Sequence, residues 1–176
     1  MKTLKLCRLI SERKIRSTVK RMAKQIYSDY SGEDLLFVGV LKGSFMFLAD
    51  LIRFIPSHAQ VDFVIVSCYG SKTFYSGKIK LIADLRQDVR GKNVIIVEDI
   101  IDTGRTINLL QKLFNKRGAK SVKICALLDK PSRREVKLKI DYKGLTVPDK
   151  FVVGYGLDYS EQYRNLPYVG YLGVAS

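Results

Sequence analysis

A chain of 176 residues, 47% of them hydrophobic, is long enough to bury one full core and too apolar to remain disordered. Its formal net charge of +14 points to polyanionic partners, whether nucleic acid or a phosphorylated small molecule. The longest apolar runs, such as Leu35–Leu41, fall far short of the roughly 20 residues of a membrane-spanning helix, and Lys5 and Arg8 interrupt the apolar N-terminus of a signal peptide, so a cytoplasmic protein with no membrane partner is expected.

Half of the positive excess lies in residues 1–30, where nine basic side chains face only Glu12 and Asp29. Within that segment Ile15, Val19, Met22, Ala23 and Ile26 recur at helical spacing behind Ser11, a good N-cap. The basic residues then form the solvated face of an amphipathic helix, and nucleic acid is not the expected partner. Cys7, Cys68 and Cys125 are odd in number and widely spaced, which fits reduced thiols rather than a disulfide framework or a zinc pattern.

After Gly32, Leu35–Leu41 reads as a strand buried on both faces, and Lys42-Gly43-Ser44 follows at once. Phe45, Leu48, Ala49, Ile52 and Ile55 mark a helix that stops before Pro56. A glycine and a cation at such a join sit beside free backbone donors, a weak anion-binding signal by itself. Residues 61–66 and 79–82 read as strands, with residues 67–78 between them as a loop of lid length holding two glycines and three aromatics. His58 belongs to no pattern and is expected at the surface.

Residues 93–106 read N-V-I-I-V-E-D-I-I-D-T-G-R-T. Val94 to Val97 make a buried strand, and Glu98 and Asp99 fall where it is expected to leave the sheet. Asp102 follows, and Thr103-Gly104-Arg105-Thr106 leads into a helix with apolar Ile107, Leu110, Leu113 and Phe114, closed by Lys116-Arg117-Gly118. A glycine turn at a helix N-terminus suits a phosphate. Three carboxylates beside a phosphate would repel it unless they hold a cation, neighbouring hydroxyls or a proton in transit. An ordinary βα turn also favours Asp and Thr as caps, but not this whole order of residues. Residues 121–128 form a further strand with Lys130, in Asp129-Lys130-Pro131, at its carboxyl end, where open α/β sheets bind ligands. The last informative stretch is K-F-V-V-G-Y-G-L-D-Y from Lys150 to Tyr159, running on to Arg164: a short strand, a glycine-rich turn, then an acid and a cation.

The 93–106 stretch resembles the phosphoribosyl-pyrophosphate (PRPP) motif of type I phosphoribosyltransferases, and E-D-I-I-D-T-G is similar to its form in hypoxanthine-guanine phosphoribosyltransferases. The likeness runs from about the first helix to Arg164, with four motifs in the family's order. It implies an α/β fold with a Rossmann-like, mostly parallel central sheet flanked by helices. A single phosphoribosyltransferase domain would span residues 1–176, its core about 32–148 and its small hood built from the N-terminal segment and about 149–176. It also implies a Mg²⁺-dependent purine salvage enzyme that transfers the 5-phosphoribosyl group from PRPP to N9 of hypoxanthine or guanine.

By the same resemblance Glu98, Asp99, Asp102, Thr103, Gly104, Arg105 and Thr106 bind the ribose phosphate, with Asp102 as the base that takes the proton from N7. Leu41, Lys42, Gly43 and Arg164 bind pyrophosphate, the first turn usually through a non-proline cis peptide. Lys130, Phe151, Val152 and Asp158 bind the purine, Lys130 reading the oxygen at C6, and Glu98, Asp99 and Asp158 hold the metal. The partners implied are PRPP and a 6-oxopurine, and a homo-oligomer, dimer or tetramer, is expected. The family's mobile loop carries a Ser-Tyr pair, which here reads Cys68-Tyr69. An RNA-binding regulator on the same fold is the rival reading, disfavoured by Asp102, Lys130 and the 151–158 set.

Overall fold

The computed structural model describes residues 4–56, 58–69 and 78–174. The chain opens with a strand, β1 (Leu4–Ile10), and then α1 (Glu12–Asp29), whose N-cap Ser11 accepts from the Lys14 N–H. There follow β2 (Leu35–Leu41), α2 (Phe45–Ile52), β3 (Ala59–Tyr69), β4 (Lys78–Ala83), β5 (Asn93–Ile101), α3 (Arg105–Lys116), β6 (Ser121–Asp129), β7 (Tyr142–Thr146), β8 (Val152–Val153) and β9 (Val169–Val174).

Six strands make the main sheet in the order β4-β3-β2-β5-β6-β7, parallel except for the β3–β4 pair. The alternation of side chains across a strand explains the unbroken apolar runs. Leu35, Phe37, Ile95, Val97, Cys125 and Leu127 enter one core layer under α1 and α2, while Leu36, Val38, Val94, Ile96, Ile124 and Ala126 enter the other under α3. Each Val, Leu, Ile or Phe among them removed from water contributes about 1.5–3 kcal/mol, so the three central strands anchor the fold. Burial also drives the Cys125 thiol pKa upward, and neither Cys7 nor Cys125 is in a disulfide.

The chain runs from β2 outward to β3 and β4, returns to β5 and then moves the other way to β6 and β7, so the order reverses between β2 and β5. Ligand sites of open α/β sheets sit at the carboxyl ends of strands at such a reversal. A second, antiparallel sheet of order β1-β9-β8 joins the two ends of the chain.

Several local expectations need correction. Residues 4–10 form β1, although their mixed polar pattern gave no strand signal, because they pair with a strand more than 150 residues away. Ile15, Val19, Met22, Ala23 and Ile26 of α1 lie in the same hydrophobic layer as α2. In α2 the buried residues are Phe47, Leu48 and Leu51, while Phe45 and Ala49 face out, because an almost wholly apolar helix has no periodic face to read. Cys68 and Tyr69, expected in a loop, are the last residues of β3, paired with Ile79 and Lys78. Their side chains and residues 70–77 lie outside the described residues, so the lid reading is not placed.

Candidate active site

The site forms where two βα turns and one hood loop meet. At the end of β2 the Leu41–Lys42 peptide is cis, and the turn passes through Gly43 to Ser44, whose hydroxyl donates to the Val40 carbonyl at 2.8 Å. At the end of β5, the pairing with β2 stops at Val97 while that with β6 continues to Ile101. Glu98 and Asp99 therefore lie inside β5 rather than beyond it, along a stretch whose β2-facing edge is open. Asp99 uses that opening. A Cβ added to Gly43 would stand 1.8 Å from Asp99 Oδ2, so only glycine lets this carboxylate reach the turn.

The hood loop closes on the same point. Gly156, at φ +99°, packs so tightly that a Cβ there would lie 2.1 Å from the Gly43 carbonyl oxygen. Arg164 donates to the Gly156 carbonyl at 2.7 Å and pairs with Asp158 at 2.8 Å. Glu161 receives the Lys42 ammonium at 3.0 Å and lies 3.4 Å from Arg164, and both cations depress its pKa, the Lys42 hydrogen bond first. The Tyr155 hydroxyl donates to Asp50 of α2 at 2.6 Å and ties the loop to the core. Asp99 is buried among these charges, and loss of hydration pushes its carboxyl up to about 6, with Asp158 adding to the rise and Arg164 opposing it.

On the other flank, Asp102 stands in the β5–α3 turn, its Oδ1 3.5 Å from Arg133 Nε but buried without a hydrogen bond. Gly104, at φ +81°, caps α3. Lys130 follows β6 and its N–H donates to the Ile101 carbonyl at 3.0 Å. Its side chain is not at the surface, as a lysine in a proline-containing loop would usually be. The residue is 5% exposed, and Nζ donates to the Lys150 carbonyl at 2.8 Å, 3.9 Å from Asp149. The next residue, Phe151, is 59% exposed and meets Tyr159 edge-on at 5.6 Å. An open aromatic face beside a buried ammonium suits a planar, polar ring.

Residues 9–160 match the phosphoribosyl transferase domain. The chain belongs to the phosphoribosyltransferase family. It is 51% identical to the hypoxanthine-guanine phosphoribosyltransferase of Bacillus subtilis (strain 168) over 167 residues, 95% of this chain and 93% of that one. It is 47% identical to the hypoxanthine phosphoribosyltransferase of Escherichia coli (strain K12) over 164 residues, 92% of each. Among solved structures it is similar to a hypoxanthine-guanine phosphoribosyltransferase of Bacillus anthracis, with a TM-score of 0.90 and 44% identity, covering 98% of this chain and all of that one.

For a phosphoribosyltransferase of this kind, the residues expected from sequence fall into three joined groups. Leu41, Lys42, Gly43, Asp99, Asp158 and Arg164 meet at the β2 turn. Asp102, Thr103 and Gly104 form the β5–α3 turn and Arg105 and Thr106 the first turn of α3, with Glu98 behind them in β5. Lys130 joins that turn to Phe151 through the Lys150 carbonyl, while Val152 is buried in β8 with its backbone paired to Tyr171. Glu98, Asp99 and Asp158 do not converge as a ready metal cage: among the described residues no three His, Cys, Asp or Glu side chains do. Asp158 is instead held by Arg164. Sequence reading passed over Glu161, Tyr159 and the Arg133-Arg134-Glu135 run, which look like solvated charge and an ordinary aromatic until the fold brings them to the site.

Proposed function

We infer that the protein is a purine salvage enzyme that transfers the 5-phosphoribosyl group from PRPP to N9 of hypoxanthine or guanine, giving IMP or GMP and pyrophosphate. The observation that carries this is the meeting of Gly43, Asp99 and Gly156 at the reversal of the sheet, which sets an anion-binding turn, a buried carboxylate and an arginine loop around one point.

Lys42 and Arg164 would bind the pyrophosphate of PRPP, exchanging their present partners Glu161 and Asp158 for substrate oxygens. The β5–α3 turn, Thr103 to Thr106, would take the 5′-phosphate on its N–H groups and hydroxyls. Glu98 and Asp99 would hold the ribose hydroxyls or metal-bound water. Asp102, whose buried Oδ1 lacks a hydrogen bond, would accept the proton of N7 as the new glycosidic bond forms. Lys130 would donate to the oxygen at C6, giving up the Lys150 carbonyl to do so, and Phe151 would stack on the ring. A donor at that atom favours hypoxanthine and guanine over adenine, whose amino group cannot accept.

The donor set fits Mg²⁺. Magnesium is usually held by one or two carboxylates together with substrate phosphates, and Asp99 is a carboxylate whose loss of hydration outweighs the Ile100 N–H it accepts and the pull of Arg164, set directly against the Gly43 turn. Asp99, with Glu98 or Asp158, would hold the ion, which when bound neutralises the charge that builds on the leaving pyrophosphate. Cytoplasmic location and self-association are part of the same proposal. No helix among the described residues is long and apolar enough to cross a membrane, and Phe63, Ile65 and Ile82 stand exposed on β3 and β4 as surface that a second copy would cover.

The test is PRPP consumption with Mg²⁺ against a panel of bases. Turnover with hypoxanthine and guanine and little with adenine, uracil or orotate is the expected outcome. Turnover with none of the purines, or preference for a pyrimidine, would overturn the reading.

A further inference from the structure

We propose that Arg134 is a positioning residue that shapes the 5′-phosphate cradle by holding the carbonyl oxygens of the β5–α3 turn away from it. The inference rests on the phosphoribosyltransferase reading above and adds a residue to it.

Three consecutive carbonyls of that turn are taken from one side by the segment that follows β6. The Ile101 carbonyl accepts from the Lys130 N–H at 3.0 Å and from Arg134 Nη2 at 3.3 Å. That of Asp102 accepts from Arg134 Nε at 3.0 Å. That of Thr103 accepts from the N–H groups of Glu135 at 3.0 Å and Val136 at 3.4 Å. The guanidinium is itself anchored on the Asp129 carboxylate, which is buried at the end of β6. Arg105 of α3 forms an ion pair with Glu135, so residues 130–136 run across the turn as a strap fastened at both ends.

In a planar trans peptide the C=O and the following N–H point in opposite directions. With the carbonyls of residues 101, 102 and 103 turned to the strap, the N–H groups of Asp102, Thr103 and Gly104 turn the other way. Among the described residues no backbone carbonyl accepts from those three groups. Successive N–H groups aimed to one side, running into a helix N-terminus, make an anion-binding concavity. Gly104 lets the strap lie this close: a Cβ there would meet Val136 Cγ2 at 3.0 Å and Arg134 Cδ at 3.1 Å.

Arginine is suited to this place because one planar fork can serve two carbonyls and a carboxylate together, which the single ammonium of lysine cannot do in the same plane. The strap begins at Lys130, so the residue proposed to read the base and the cradle proposed to hold the phosphate are built on one short segment.

The test compares affinity for IMP and for inosine, which differ only in the 5′-phosphate, in the unmodified enzyme and in Arg134→Ala and Arg134→Lys. The ratio of the two affinities isolates the cradle. In Arg134→Ala it should fall by on the order of 10-fold or more, the weight of a charge-assisted hydrogen bond. Arg134→Lys keeps a cation for Asp129 and should fall less, and it decides the matter if the alanine variant does not fold. General loosening of the protein would weaken both ligands alike and leave the ratio unchanged, and that result overturns the inference. An unmodified enzyme that binds IMP no better than inosine would instead sink the phosphoribosyltransferase reading itself.

Discussion

The two ends of the main sheet treat their charged groups in opposite ways. At the amino ends of the strands Glu33 accepts from Lys120 Nζ and from Asn93 Nδ2, both at 2.7 Å, and Asn93 in turn accepts from the Ser121 hydroxyl at 2.8 Å. The lysine, through its hydrogen bond first, holds the Glu33 carboxyl below its usual range. At the carboxyl ends Asp99 is buried and pushed up to about 6, and Asp102 keeps a buried oxygen without a hydrogen bond. One end has settled its charges internally, as a stability-selected surface does. The other pairs Lys42 with Glu161 and Arg164 with Asp158 but keeps these two acids under strain, and a folded chain retains such unfavourable groups chiefly where they act.

That contrast can be broken most sharply by removing the proposed cation. Excess chelator should abolish turnover, and added Mg²⁺ should restore it, with the thermal transition of the free protein unmoved. Full activity in chelator would mean that the carboxyl-end acids serve another purpose.

Next in size is Asp102→Asn, which should lower turnover by ~10²–10⁴, the usual weight of a general base, with little effect on PRPP binding. A variant as active as the parent across the pH range would show that Asp102 takes no proton. Lys130→Ala follows. A charged donor lost to the base should lower kcat/KM for hypoxanthine by about 10–100-fold. Because Lys130 is buried and bonded to the Lys150 carbonyl, some loss of stability should accompany this, so the decisive reading is selectivity. Unchanged preference for hypoxanthine over adenine would remove Lys130 from the base site.

A smaller effect concerns stability alone. The native Asp99 carboxyl holds its proton up to about pH 6, against an ordinary 3.8, so between those values the native state binds more protons than the unfolded one. Stability should therefore fall as pH rises through that window, and the cost persists above it. The rise from 3.8 to about 6 corresponds to about 3 kcal/mol as an order of magnitude. Metal-free Asp99→Asn should accordingly be more stable than the parent at pH 7.5, with the gain vanishing below pH ~4. A destabilised variant at neutral pH would show that the Asp99 charge is compensated in the fold.

The least effect is expected at the other end of the sheet. Glu33→Gln removes an exposed ion pair at the amino end of β2 and β5, opposite the site, and should leave kcat and KM unchanged, with little change in melting temperature. A large loss of turnover there would contradict the division between the two ends.

Much of this was legible in the sequence because it is local. Strands β2, β5 and β6 announce themselves as apolar runs, α1 and α3 as helical spacing, and the two βα turns as glycine beside charge. The identity and order of those residues, E-D-I-I-D-T-G above all, sufficed to point to the phosphoribosyltransferases.

Tertiary structure decided what depends on distant partners. β1 is a strand because β9 lies beside it, and Lys130 is buried because the hood brings the Lys150 carbonyl to it. Asp99 has a raised pKa because Gly43 and the 156–164 loop exclude water from it. Arg134 looks in sequence like any cation in a charged run, and only the fold turns the Ile101, Asp102 and Asp129 oxygens toward it. Periodicity and turn chemistry are properties of neighbouring residues, whereas desolvation and hydrogen-bond partners belong to the whole packed chain.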